Sequence, residues 1–184
     1  MILQAFVQAL GKGVRSLRGQ RGKAPDTTPQ AVVNLTAYLG RWYEQARYDC
    51  FFEHGLNDVY ADYARRADGR IDITNVGFDD RGREHRAKGR AVIPLPEEPG
   101  RLWVSFVPPY CWFRAPYHIL YTDAECTEAL VSGDGRRYLW LLARARRADD
   151  ATMRRLLDEA TRRGFDLARL RLTRQKRKSA PAET

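Results

Sequence analysis

The chain has no apolar run long enough to cross a bilayer as a helix. It also lacks a glycine-rich phosphate loop, a Cys-x-x-Cys pair and a His-x-x-x-His pair. Nucleotide cradles, dithiol redox centres and the common zinc motifs are therefore not written into it. Its three histidines, His54, His85 and His118, fall in separate parts of the chain and share no ligand spacing, which argues against a metal site. Ser105 and Ser132 have no nucleophile-elbow motif around them. Cys50 has only His54 near it in sequence, a poor setting for an activated thiolate. No catalytic residue and no cofactor are expected.

Acidic residues are outnumbered, 23 against 32 lysines and arginines in 184 residues, giving a net charge of +9. That balance favours anionic partners, whether lipid head groups, nucleic acid or an acidic protein. The length suits one domain with a single core or a single lined cavity. Residues 1–30 form a distinct segment. Leu3, Phe6, Leu10, Val14 and Leu17 follow helical spacing with Lys12, Arg15 and Arg18 on other faces, so this stretch reads as a basic amphipathic helix or a disordered leader. Gln4 and Gln8 interrupt the run a secretory signal would need. Residues 19–29, rich in Gly, Pro, Thr and charge, read as a linker.

Beyond residue 40 short extended runs alternate with turn signals, the pattern of an antiparallel barrel. The runs fall near 40–49, 58–66, 71–78, 84–93, 102–106, 117–122, 129–132 and 137–144, with Asp68-Gly69 and Gly133-Asp134-Gly135 among the turns. Ala87, Gly89 and Ala91 put small residues on one face of the fourth run, which leaves room inside. Eight strands close a barrel wide enough for one small ligand. One helix follows, capped by Asp149 or Asp150, striped by Met153, Leu156, Leu157 and Ala160, and stopped at Gly164. It should pack outside the barrel. Residues 170–173 can add a short strand, and 176–184 form a basic, solvated tail.

The chain is organised around Tyr38-Leu39-Gly40-Arg41-Trp42-Tyr43-Glu44. Glycine two residues before an indole lets the backbone turn and lay Trp42 across the barrel end. Gly-x-Trp-Tyr-Glu resembles the first lipocalin signature, especially that of bacterial outer-membrane lipocalins and apolipoprotein D. Tyr121-Thr122-Asp123 resembles the second signature and Tyr138 to Arg144 the third, and the resemblance runs from residue 33 to 175. It implies an all-β, eight-stranded up-and-down barrel in which Arg144 stacks over Trp42. Gly40, Trp42, Thr122, Asp123 and Arg144 are the structural signature.

If Trp42 points inward, alternation brings Glu44, Ala46, Ala61, Tyr63, Ile73, Asn75, Val104, Phe106, Tyr117 and Trp140 to the same side. Such a mostly apolar set with a few polar groups suits a ligand pocket. The same face also suits a barrel filled by its own side chains. The resemblance implies ligand contact at Asn75 and Trp140 and favours a fatty acid or lysophospholipid, held for storage or transport in the cell envelope. A lipocalin-fold enzyme acting on a lipid or isoprenoid, or a membrane-surface interaction protein, is the alternative. In an up-and-down barrel Cys50 and Cys111 lie in loops at the same end and either bridge across the mouth or stay reduced. Arg136, Arg137, Arg146, Arg147, Arg154, Arg155, Arg162 and Arg163 should be exposed, either solvated or docked on anionic lipid. Some family members pair as homodimers. Nucleic acid is not expected, since the aromatics alternate toward the interior instead of interleaving with surface cations. The lipid-attachment cysteine of outer-membrane lipocalins is not seen before Cys50, which leaves periplasmic, envelope-associated and cytoplasmic locations open, and the resemblance favours the envelope.

Overall fold

A computed structural model describes residues 24–50, 53–106, 114–133 and 137–176. The amphipathic segment over residues 3–17 and the tail beyond residue 176 lie outside them. One turn of helix, α1 (Leu35–Tyr38), precedes the strands β1 (Gly40–Tyr48), β2 (Asn57–Arg65), β3 (Ile71–Phe78), β4 (Glu84–Val92) and β5 (Arg101–Phe106). β6 (Ala115–Thr122), β7 (Glu128–Ser132) and β8 (Leu139–Ala143) follow, then α2 (Asp150–Arg162) and β9 (Leu170–Leu172). Each strand from β2 to β8 pairs antiparallel with the next, and β1 lies between β8 and β2, closing the barrel.

The closure is uneven. β1 pairs with β2 only over Gly40–Tyr43, and beyond that the two strands part. β9 then takes up the free edge of β1 from Ala46 to Tyr48. The Gln175 amide donates across the gap to the carbonyls of Glu44 (2.9 Å) and Val59 (2.8 Å). Backbone groups that would be left orphaned inside the wall are satisfied by this late segment.

The floor is fixed by all three signature stretches. Arg144 stacks its guanidinium 3.9 Å from the centre of the Trp42 ring. It donates to the carbonyls of Cys126 (3.0 Å), Arg41 (2.7 Å), Ala37 (2.5 Å) and Leu39 (2.8 Å). Gly40 has φ +92, open to glycine and costly for other residues, and an added Cβ would lie 3.5 Å from the guanidinium. Trp42 donates its indole N–H to the Tyr38 carbonyl at 2.7 Å. Asp123 holds the β6–β7 turn, accepting from the backbone N–H groups of Thr127 (2.7 Å) and Glu128 (2.9 Å).

Two apolar clusters result. One fills the lower barrel around Trp42, Ile71, Leu102 and Ile119. The other joins the outer face to α2 through Ala46, Tyr48, Leu141, Leu156 and Ala160. α2 starts at the Asp149 cap, whose carboxylate accepts from Thr152 N–H at 2.8 Å, and Gly164 ends it at φ +82.

Several expectations change. Residues 26–30 are not a free linker: Gln30 N–H donates to the Ile119 carbonyl and Asp26 N–H to that of Arg163, strapping the segment to the barrel and α2. Arg163 is not exposed, because its guanidinium is spent on Glu159 and the Leu120 carbonyl. Arg146 is not exposed either, lying over the Tyr43 ring and pairing with Asp58 at 3.3 Å, whereas Arg155 is exposed as expected and pairs with the buried Glu128 at 2.7 Å. The space left by small residues on β4 is not open at Gly89, where an added Cβ would lie 2.9 Å from the Phe106 ring.

Because Arg144 joins α1, β1 and the β6–β7 turn, Arg144→Lys should destabilise the fold by about 2–4 kcal/mol, since one ammonium replaces neither the fork of donors nor the stack. Urea unfolding of the two proteins measures this. A loss below about 0.5 kcal/mol, the level of an ordinary surface change, would contradict it.

Candidate ligand-binding site

Above the floor the barrel holds a cavity that is open at its mouth. Its lower wall carries phenols. Tyr117 Oη lies 2.9 Å from Tyr38 Oη and 2.8 Å from Tyr63 Oη. Burial raises the pKa of all three, that of Tyr63 to about 12, so they remain neutral and their O–H groups satisfy one another. Ala61, Ile73, Val104, Phe106, Val131 and Leu142 make the rest of the lining apolar. Asn75 joins them from β3, and its buried side-chain oxygen has no hydrogen-bond partner.

A charged wall rises on one side. Glu44 of β1 and Glu53 of the following loop both line the cavity. Arg47 lies against them without joining the lining: Nη1 donates to Glu44 Oε1 (2.5 Å) and to Thr173 Oγ1 (3.1 Å), Nη2 to the Glu53 carbonyl (2.5 Å) and that of Leu56 (3.3 Å). The Thr173 hydroxyl donates in turn to Glu44. Glu53 Oε2 accepts from the Trp140 indole at 3.0 Å and from the Cys50 thiol at 3.2 Å. The Trp140 ring lies parallel to Tyr138, centroids 5.7 Å apart. With two carboxylates against one guanidinium, burial and then the charge of Glu44 push the Glu53 pKa up to about 7.

Of the residues expected to line the pocket, Glu44, Ala61, Tyr63, Ile73, Asn75, Val104, Phe106, Tyr117 and Trp140 do so. Ala46 does not. At Gln45 β1 carries a bulge, so that Glu44 opposes Leu142 and Ala46 opposes Leu141 on β8. The Gln45 amide pins this bulge by donating to the carbonyls of Tyr43 (3.0 Å) and Ala145 (3.1 Å) and accepting from Ala148 N–H (2.9 Å). Alternation reverses there: Ala46 packs toward α2, and Arg47 turns to the carboxylates. Strict period-two reading missed Arg47 for this reason, and missed Glu53 because a loop residue has no period. Two acids flanking an arginine within ten residues were the available signal.

Cys50 is a buried free thiol and Cys111 lies outside the described residues, as does any bridge to it. His54 pairs with Asp49 at 3.0 Å, His85 with Asp79 at 3.3 Å, and His118 with the Thr27 carbonyl at 2.9 Å, at separate places on the barrel.

The family model of the lipocalin-like domain matches residues 33–175. The chain belongs to the lipocalin family. It is 39% identical over 149 residues to the outer membrane lipoprotein Blc of Escherichia coli, covering 78% of this chain and 82% of that protein. It is 31% identical over 182 residues to mouse apolipoprotein D, covering 92% and 93%. Among solved structures, insecticyanin from the tobacco hornworm Manduca sexta superposes with a TM-score of 0.68 at 17% identity, over 84% of this chain and 87% of that one. Membership of the family supports binding of a small hydrophobic ligand in the barrel, and the outer-membrane lipoprotein relatives support a place in the cell envelope. No helix among the described residues of this lipocalin is long and apolar enough to cross a membrane.

Glu53 makes the lipocalin's stability fall with rising pH. A glutamate ionises near 4.5 in the unfolded chain and near 7 here, so the folded state holds the extra proton between those values. This contribution is complete below about 4.5 and is lost as pH rises through about 7, by up to about 3 kcal/mol. Urea unfolding at about pH 5 and about pH 8 should show that fall, and Glu53→Gln should flatten it. An unchanged slope in the variant would assign the pH dependence elsewhere.

Proposed function

We propose that this lipocalin shields one acyl chain, of a fatty acid or lysophospholipid, inside the barrel for lipid storage or transport in envelope maintenance. The observation that carries the reading is the apolar cavity closed below by Trp42 and Arg144 and open above. Its lining is mostly apolar with a few polar groups, the composition of small-molecule sites. Each methylene moved from water into such a lining contributes about 0.8 kcal/mol. About sixteen of them, the length of a long acyl chain, give roughly 13 kcal/mol, which leaves roughly 8 kcal/mol, or micromolar binding, after association costs of about 5 kcal/mol.

Carriage is favoured over catalysis by the state of the one described thiol near the cavity. Burial, and then the neighbouring Glu53 charge, push the Cys50 pKa far above its ordinary value, so the nucleophilic thiolate is absent at neutral pH. The tyrosine hydroxyls bond one another instead of being oriented by a base. Kinship with outer-membrane lipoproteins makes the periplasm or the outer membrane the place where such a carrier would meet its cargo.

Ala61 tests the reading. It lies opposite Trp42 on β1 and Asn75 on β3 and lines the cavity. Ala61→Phe should abolish stoichiometric uptake of an environment-sensitive fatty-acid probe while costing only about 1–3 kcal/mol of stability. Retained uptake by the folded variant would place the probe on the surface and overturn an interior site.

A further inference from the structure

The segment that closes the wall between β1 and β2 has a second, outward face. From Leu172 to Lys176 burial alternates: Thr173 and Gln175 are buried, while Leu172, Arg174 and Lys176 are exposed. The alternation is fixed by the backbone. Thr173 N–H donates to the Gln45 carbonyl (2.9 Å), Asp58 N–H to the Arg174 carbonyl (2.8 Å), and Lys176 N–H to the Asp58 carboxylate (2.7 Å). With Gln175 also spent across the gap, the side chains of residues 172, 174 and 176 are held in one outward stripe. Arg171, on β9, is exposed beside it.

The stripe carries unbalanced charge. Elsewhere on the barrel Arg41, Arg83 and Arg86 are each paired with an acid. Among the described residues the side chains of Arg171, Arg174 and Lys176 have no such partner, and the acid that the segment does touch, Asp58, is already paired with Arg146 at 3.3 Å. Leu172 stands among these cations 75% exposed. An exposed leucine alone says nothing. Set among unpaired cations it gives the composition of a surface that lies on a bilayer, with cations for anionic head groups and an apolar side chain for the acyl boundary beneath them. We propose that Arg171, Leu172, Arg174 and Lys176 dock the barrel, along its β1–β2 seam, on a lipid surface bearing anionic head groups. A nucleic acid matches the stripe less well, because these four residues include no aromatic ring on which bases could stack. The docking is independent of the cargo, since none of the four lines the cavity.

Cosedimentation of the full chain with vesicles tests this, using phosphatidylcholine alone and phosphatidylcholine with about 30% phosphatidylglycerol, at about 0.1 M salt. The wild-type chain should bind the anionic vesicles at least about tenfold more tightly than the neutral ones. Replacing all three cations, Arg171→Gln, Arg174→Gln and Lys176→Gln, should weaken that binding by about a hundredfold, at roughly fivefold per cation. Leu172→Ser should weaken it by about threefold or more and leave its salt dependence unchanged. Both variants should keep the wild-type urea midpoint and the wild-type uptake of the acyl probe, since the altered groups are exposed and outside the cavity. A control with Arg65→Gln, Arg81→Gln and Lys88→Gln removes as many exposed cations from β2, the β3–β4 turn and β4, and should change vesicle binding by less than about threefold. Equal losses in the two triple variants would assign the attraction to net charge and overturn the proposal. So would equal binding of the wild-type chain to neutral and anionic vesicles, or binding to neither. Tighter binding of polyglutamate or of a single-stranded oligonucleotide than of the anionic vesicles, lost in the same stripe variant, would assign the stripe to an acidic protein or a nucleic acid and overturn the lipid surface as its partner.

Discussion

The stack of Arg144 on Trp42 is the contact on which the barrel depends. A sheet rolled into a cylinder has two ends, and a cavity that is to hold an apolar ligand needs one of them shut without leaving backbone carbonyls dry. Arg144 does both tasks. Its cationic plane covers the indole, and its donors reach carbonyls on α1, on β1 and on the β6–β7 turn. Gly40 is required because the strand must turn under that plane, and Asp123 because the turn offering the Cys126 carbonyl must be held in place. Three stretches distant in sequence are thus one device in space.

The open end is organised by a different constraint. β1 and β2 part above Tyr43, and the gap is filled by residues 173–175, by the Gln45 bulge and by the Glu44–Arg47–Glu53 cluster. A buried set with two acids and one base is costly unless each charge is hydrogen-bonded. Here Arg47 is bonded through both terminal nitrogens, and the remaining imbalance is relieved by Glu53 holding its proton toward neutral pH. The site therefore combines an apolar interior with a wall that carries two carboxyl groups on one side.

Much of this was legible in the sequence because it is local. Strand periodicity, the Asp68-Gly69 turn, the Asp149 cap and the Gly164 stop are decided within a few residues, and the elements appear within one or two residues of where those signals put them. The floor was legible because its spacing resembles a family signature. What escaped was set by contacts between distant residues. The bulge that turns Ala46 outward is held by Gln45 reaching residues 145 to 148. Glu53 comes from a loop, and Tyr38, which completes the phenol cluster, lies in a four-residue helix too short to show a period. The strap over residues 26–30 has the composition of a linker and is ordered by its bonds to β6 and Arg163.

The central claim is that one acyl chain occupies the interior of one barrel. Native mass spectrometry of the purified chain with a long-chain lysophospholipid tests it most directly. The account predicts a single saturating adduct of one lipid per barrel. A folded chain that stays lipid-free, or that gathers lipids one after another without saturation, would contradict it.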